Sequence, residues 1–244
     1  MKTLHDAICE MICLPENASV IDLGCRNAGF LNRLAESFPG KIGTAIGVDS
    51  TDKNFGEAPC RAPVQLKVIN CAEALPFPDG AFDLVFSKDM LECIGDKAAL
   101  VREIHRILKP GGSAVCVNCD FDSIVYNGED KEAISRAVHA YAVTKQGWMD
   151  DLDSWMGRRT YGVFHRSGLF ESSISVHSIT ETEYAEGTLG HAFSHHIGWL
   201  VEEHTGALSA GEYRRFLDTL RQADRQRQYL FSKPYYIYRG VKLR

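Results

Sequence analysis

The apolar positions of this chain change period along its length, and the changes mark its elements. Val20, Ile21 and Leu23 form a short apolar run broken by Gly24, after which Phe30, Leu31, Leu34 and Ala35 recur at helical spacing as far as Pro39-Gly40. Short runs return over Gly43 to Val48, Val64 to Ile69, Phe82 to Phe86 and Ala114 to Val117. Leu100, Ile104, Ile107 and Leu108 mark one face of a helix over Asp96 to Leu108, ended by Lys109-Pro110-Gly111-Gly112. An earlier short helix, Leu4 to Ile12, carries Leu4, Ile8, Met11 and Ile12 on one face. Ser50 to Pro63 has no helical period and reads as a loop or one short helix. Apolar strands separated by helices or loops of this length predict a parallel sheet with right-handed crossovers.

From Asp120 the pattern differs. Glu129 to Thr144 and Gly157 to Ser167 read as helices around an aromatic-bearing turn, Trp148 to Trp155, and Ser173 to Thr180 alternates as a strand. Two helices, Thr188 to His204 and Ser209 to Gln226, precede a last strand over Tyr229 to Val241, which joins by a hairpin-like return. We expect one domain over residues 1–244, with 120–166 a helical cap over the substrate side of the sheet. Trp148, Trp155 and the tyrosines at 235, 236 and 238 are expected in core or cap packing.

Composition narrows the function. Thirty-two acidic residues against 27 basic ones leave a net charge of −5, which does not suggest a nucleic-acid sleeve. No apolar run approaches the roughly 20 residues that span a bilayer, and residues 1–13 mix charge with apolar positions, unlike a secretory leader. Eight cysteines without such a leader predict free thiols and a cytoplasmic protein. Cys116 and Cys119 are three apart on a strand and so point to opposite faces, which argues against a shared metal or redox centre. His191 and His195 share a helix face but lack the H-E-x-x-H arrangement of a zinc helix.

The candidate chemistry begins at V-I-D-L-G-C-R-N-A-G-F, residues 20–30. A strand that ends in a glycine turn and opens a helix leaves free backbone N–H groups beside a closely approachable backbone. Asp49 ends the next strand, where an acidic side chain accepts hydrogen bonds from ribose hydroxyls in nucleotide-binding α/β folds. A dinucleotide loop needs G-x-G-x-x-G, and only its outer glycines, Gly24 and Gly29, are present.

Three stretches at this spacing, V-I-D-L-G-C, A-E-A-L-P-F-P-D-G-A-F-D and L-V-R-E-I-H-R-I-L-K-P-G-G, resemble the class I S-adenosylmethionine-dependent methyltransferases, in particular the quinone-biosynthesis and small-molecule branch. The resemblance covers about Ala18 to Asn118 in motif detail. It implies a Rossmann-like, seven-stranded, mostly parallel α/β sheet with a C-terminal antiparallel strand, a helical insertion after strand five, and S-adenosyl-L-methionine as cofactor. It places Gly24 and Cys25 against the methionine end of the cofactor, Asp22 near its amino group, and Asp49 with Ser50 at the ribose. Cys71, Ala72 and Glu73 would flank the adenine, and Ser87 and Lys88 would close the site. The family's first motif usually has glycine where this chain has Arg26 and Ala28. A positive φ at Arg26 would cost roughly 1 kcal/mol. Asp120, Tyr126 and Arg158 are the candidates for contact with an acceptor.

The expectation is methyl transfer to a small molecule, with no nucleic-acid partner. Ser87-Lys88-Asp89-Met90 stands where amide and base methyltransferases carry Asn- or Asp-Pro-Pro-Tyr, which together with the acidic balance sets an RNA or protein acceptor behind. A third reading, a cofactor-free scaffold, follows from Arg26 and Ala28.

Overall fold

The structure, a computed structural model, describes residues 2–56 and 63–243. The elements are α1 (Leu4–Cys9), β1 (Ala18–Leu23), α2 (Gly29–Ser37), β2 (Ile42–Asp49), β3 (Val64–Val68), β4 (Phe82–Lys88), α3 (Lys97–Ile107), β5 (Leu108–Cys119), β6 (Val125–Tyr126), α4 (Lys131–Val143), α5 (Met156–His165), β7 (Phe170–Glu181), α6 (Leu189–His196), α7 (Trp199–Glu202), α8 (Ala210–Arg225) and β8 (Phe231–Lys242). Single helical turns at Asp52–Asn54, Leu91–Cys93 and Phe121–Ser123 punctuate the loops. The expected loop of Ser50 to Pro63 includes the turn Asp52–Asn54, and its residues 57–62 lie outside the described residues.

One mixed sheet of eight strands runs β3-β2-β1-β4-β5-β8, with β1 to β5 parallel and β8 antiparallel to β5. The parallel strands are those that the apolar runs predict, and the Rossmann-like layout with its antiparallel C-terminal strand is what the family resemblance implies, with one strand more than the expected seven. The eighth strand is β6, whose two residues pair with Phe231 and Ser232 of β8. The whole length of the other edge of β8 is taken by β7, from Phe170↔Lys242 to Glu181↔Phe231. Lys109 to Gly112 does more than end α3. It lies within β5 as an irregularity, where Phe82↔Leu108 is followed by Leu84↔Ser113, and Gly111 takes φ +79°.

Buried side chains form two cores, one on each face of the sheet. Val20, Leu84, Phe86, Val115 and Ile237 pack with α1, α2, α4, α6 and α8 on one face. Ile21, Leu23, Val85, Ala114 and Tyr238 pack with α3 and α5 on the other. Cys116 and Cys119 fall in different cores, as period two requires. The segment 120–166 therefore serves both faces: α4 packs against α8, while α5 lies under β5, β7 and β8, held by Asn118 Nδ2 donating to Thr160 Oγ1 at 2.9 Å.

The expected helix Thr188 to His204 breaks into α6 and α7 around Gly198, where a Cβ would lie 2.8 Å from the Tyr213 hydroxyl. Residues 182–230, between antiparallel neighbours β7 and β8, thus form a second and larger helical excursion. Two aromatic expectations change. Trp148 is 69% exposed, its indole donating to Gln146 Oε1 at 2.7 Å, and Trp155 lies on the surface beneath the guanidiniums of Arg158 and Arg159. Tyr235 and Tyr238 are buried as expected.

Two glycines of α5 separate packing from propensity. At Gly157 a Cβ would sit 2.6 Å from Tyr236 Cδ2 and 2.9 Å from the Asp120 nitrogen, whereas at Gly162 the nearest atom is 3.6 Å away. Gly157→Ala should destabilise by about 1–3 kcal/mol through overpacking. Gly162→Ala should be neutral or stabilise by up to about 1 kcal/mol. Urea unfolding midpoints of the two variants check the contrast, and equal effects would contradict this packing of α5.

Candidate active site

The C-terminal ends of β2, β1 and β4 lie side by side, with Asp22 paired to Gly47 and Phe86, and Leu23 paired to Val48 and Ser87. Gly24 turns the chain at φ +74°, and the N–H groups of Gly24 and Cys25 both donate to the Val48 carbonyl at 2.9 Å. A Cβ on Gly24 would lie 2.7 Å from Met90 Cγ, so glycine serves both the turn and the close approach of Met90. Arg26 then takes φ +53°, the strained conformation that its place in the loop predicts. That backbone aims the Arg26 N–H at Asp49 Oδ2, 2.9 Å away, and Asn54 Nδ2 donates to Asp49 Oδ1 at 2.7 Å. Ala28 is fully buried at φ −69° and needs no glycine freedom. Asn27 Oδ1 accepts from the Gly29 N–H at 3.0 Å and opens α2, while Phe30 stacks on Phe86 with ring centres 3.5 Å apart.

The predicted cofactor residues divide by burial. Asp22 and Asp49 are buried at adjacent strand ends. Burial, and then the Asp49 carboxylate beside it, pushes the Asp22 carboxyl well above its usual range. Ser87 is 1% exposed and its hydroxyl lacks a partner among the described residues. Cys25 and Cys71 are buried against the same turn, and burial pushes the Cys71 thiol up to about 12. Ser50, Ala72 and Glu73 are exposed. Asn70 shapes that bend, donating to Glu73 Oε1 at 2.9 Å and accepting from the Ala72 N–H at 3.1 Å.

The second and third family-like stretches meet in space. Arg106 of α3 donates to the carbonyls of Leu75 and Phe77 at 2.8 and 2.7 Å, and Glu103 accepts from the Leu75 N–H at 2.9 Å. The helix thereby fixes the turn that follows Glu73.

Two of the three acceptor candidates, Asp120 and Arg158, meet each other. Asp120 is fully buried and forms a two-pronged ion pair with Arg158, one contact at 2.9 Å. Tyr126 donates to the Gly190 carbonyl at 2.7 Å within a cluster of Phe216, Tyr229 and Phe231. Each of the three side chains is already engaged by the protein. A surface depression of about 750 Å³ beside Tyr126, lined by Asp224, Arg227 and Tyr229, shares no residue with the strand-end site.

A different group gathers beyond β4. Lys88 pairs with Asp89 at 2.5 Å, and Lys88 and Lys233 both lie over the Tyr235 ring, 5.1 and 5.0 Å from its centre. Lys233 is also 5.1 Å from the Phe193 ring. Tyr141 of α4 packs edge-on against Phe193 and His196 of α6. His196 is held below its usual range, first by burial and then by Arg26 and Lys233, so α6 reaches from the Arg26 loop to this group. Asp89 is kept ionised: burial opposes its charge, but Lys88 and Lys233 outweigh it. Glu92 is buried with Oε2 unpartnered, and burial, followed by Asp89, pushes its carboxyl up to about 8. The sequence did carry a signal for Lys233. Phe231, Lys233, Tyr235 and Ile237 alternate onto one buried face of β8, so period two places a lysine inside.

Residues 21–116 match the family model of a methyltransferase domain. The chain is similar to a ubiquinone/menaquinone biosynthesis C-methyltransferase of Xanthomonas campestris, 32% identical over 124 residues, 44% of this chain and 49% of that one. In structure it is similar to a Bacillus halodurans protein solved as a candidate methyltransferase, with TM-score 0.66, 13% identity and 99% of both chains covered. It is also similar to a Haemonchus contortus phosphoethanolamine N-methyltransferase solved with S-adenosyl-L-methionine, with TM-score 0.55 and 18% identity over 98% of this chain and 52% of that one. The chain spans about half or less of the length of the curated relatives it matches.

A buried carboxyl that keeps its proton makes stability depend on pH. Its folded value, about 8, lies above the ordinary 4.5, so the stability it supports is full below pH 4.5 and is lost as pH rises to 8. Relative to wild type, Glu92→Gln should gain stability across that window and level off above it. Paired urea titrations at several pH values read this, and parallel curves would contradict a protonated Glu92.

Proposed function

We propose that this chain, whose residues 21–116 form a class I S-adenosylmethionine-dependent methyltransferase domain, transfers a methyl group to a small-molecule acceptor. The observation that carries the reading is the set of polar groups gathered at three neighbouring strand ends: the buried Asp22 carboxyl, the Ser87 hydroxyl, which has no partner among the described residues, and the Asp49 carboxylate. These suit S-adenosylmethionine. Asp49 accepts one bond at each oxygen from the protein and keeps a second lone pair at each for the ribose hydroxyls. Asp22 would take the amino group, which would draw its carboxyl into the ionised form. Gly24 and Cys25 present backbone beside the methionine end, and the bend through Cys71, Ala72 and Glu73 borders the adenine. Ser87 and Lys88 close the β4 side.

When bound, S-adenosylmethionine supplies a methyl group already activated on a sulfonium. The protein's share is then orientation and exclusion of water. The Asp49 grip fixes the nucleoside, α4 and α6 cover the opening, and the buried Glu92 and Lys233, with the partly exposed Lys88–Asp89 pair beside them, face the acceptor. A small acceptor is supported by the quinone-type relative and by the enclosure of that group beneath α4 and α6. We take the domain to be one unit over 1–244, with 120–155 and 182–230 as its covering segments. No helix among the described residues is long and apolar enough to cross a membrane. The seven described cysteines are unpaired, which supports a cytoplasmic setting.

Arg26 is compatible with this reading, because its left-handed backbone directs an N–H to Asp49 in place of a glycine's freedom. Asp49→Ala should weaken S-adenosylhomocysteine binding roughly tenfold or more, the loss of a charge-assisted hydrogen bond. Cys13→Ala, at an exposed position, should leave it unchanged. Equilibrium dialysis with labelled ligand reads both, and equal affinity for Asp49→Ala and wild type would overturn the ribose assignment.

A further inference from the structure

The group beneath α4 and α6 holds more unsatisfied polarity than a core retains without a ligand. Lys233 is 7% exposed on the apolar face of β8 and makes no ion pair among the described residues. Glu92 is 3% exposed, and neither its Oε2 nor the buried Asp89 Oδ1 has a partner among the described residues. The surroundings are aromatic: Lys233 lies between the rings of Phe193 and Tyr235, and Tyr141 packs against Phe193 with ring centres 5.0 Å apart.

Charge decides what such a place accepts. Lys88 and Asp89, both partly exposed, pair with each other, which leaves the buried Lys233 ammonium as the uncancelled charge, while Glu92 keeps its proton below about pH 8. The local excess at neutral pH is one positive charge, together with a carboxyl able to donate. A single anionic oxygen completes that balance. A neutral ligand would leave a buried ammonium uncompensated, and a dianion would leave a negative charge so, each at substantial cost away from water. Flat aromatic walls select a ring to carry the charge.

We propose that the acceptor is a planar aromatic monoanion whose ionised oxygen, phenolate or carboxylate, rests on Lys233, with its ring among Tyr141, Phe193 and Tyr235. This rests on the methyltransferase reading and names its acceptor class. Lys233 is then a binding residue of the acceptor site. For a phenol, the ionised state is also the more nucleophilic one.

The test uses the full chain saturated with S-adenosylhomocysteine and p-nitrophenol as probe, at a pH below the phenol's own pKa. Binding at Lys233 should make the phenolate absorption band grow as protein is added. Lys233→Met should weaken probe binding roughly tenfold or more while leaving S-adenosylhomocysteine affinity unchanged. Because that variant could unfold, a second measurement uses wild type alone: benzoate should displace the probe and phenyl phosphate should not. Whichever of benzoate and the phenol binds more tightly assigns the anion as carboxylate or phenolate. Binding of the neutral phenol without the band, equal binding by folded Lys233→Met, or displacement by phenyl phosphate would overturn the inference. Intact S-adenosylhomocysteine binding with no probe binding would sink the acceptor class alone, whereas no S-adenosylhomocysteine binding would sink the methyltransferase reading itself.

Discussion

The contact on which the site depends is the hydrogen bond from the Arg26 N–H to the Asp49 carboxylate. It ties the loop after β1 to the end of β2, beside the paired Gly24 and Cys25 bonds to the Val48 carbonyl. Its geometry requires a left-handed backbone at a residue with a side chain, at a cost of roughly 1–2 kcal/mol. A hydrogen bond to an ionised group contributes about 1.5–3 kcal/mol, which offsets that cost. The usual glycine is thus replaced by a pairing that holds the same turn. Asn54 adds a second bond to Asp49 from the far side, so the carboxylate is fixed in place with lone pairs to spare.

From that fixed point the architecture places chemistry at the strand ends and closes it from above. Parallel β2, β1 and β4 bring Asp49, Asp22 and Ser87 together because their register is shared. The antiparallel β8 enters from the opposite direction, so its first residues, with Lys233 and Tyr235, arrive at the same edge where β4 and β5 finish. The excursion 182–230 supplies α6, whose Phe193 and His196 lean toward this edge. The backbone of Asp150, Asp151 and Asp153 is hydrogen-bonded to the carbonyls of Glu92 and Cys93. Glu92 and Lys233, buried near β4, are therefore enclosed by elements far apart in sequence.

That distance also explains what could be read in advance. Val20 to Phe30, Asp49, the buried strands and the helix of Leu100 to Leu108 are local patterns, and each fell where its period put it. The strained φ at Arg26 was legible because a single loop position demands it. Asp120 and Arg158 looked free in sequence, 38 residues apart, but they neutralise one another in space. Tyr126 faced the same difficulty: its hydroxyl partner, the Gly190 carbonyl, is 64 residues away. Trp148 reads as core by composition and lies in water, since nothing in its neighbourhood sets a face. Lys233 was visible in the alternation of β8 once that strand's inner face was known. Glu92 was not, because a single helical turn has no period.

Calorimetric titration of the unmodified chain with S-adenosylhomocysteine, with NADH as control, tests the central claim most directly. Saturable, one-to-one binding of the sulfur ligand and none of the dinucleotide is the expected result. Absence of heat and of any competition by S-adenosylmethionine would mean that the Arg26–Asp49 turn holds a closed loop rather than a nucleoside site.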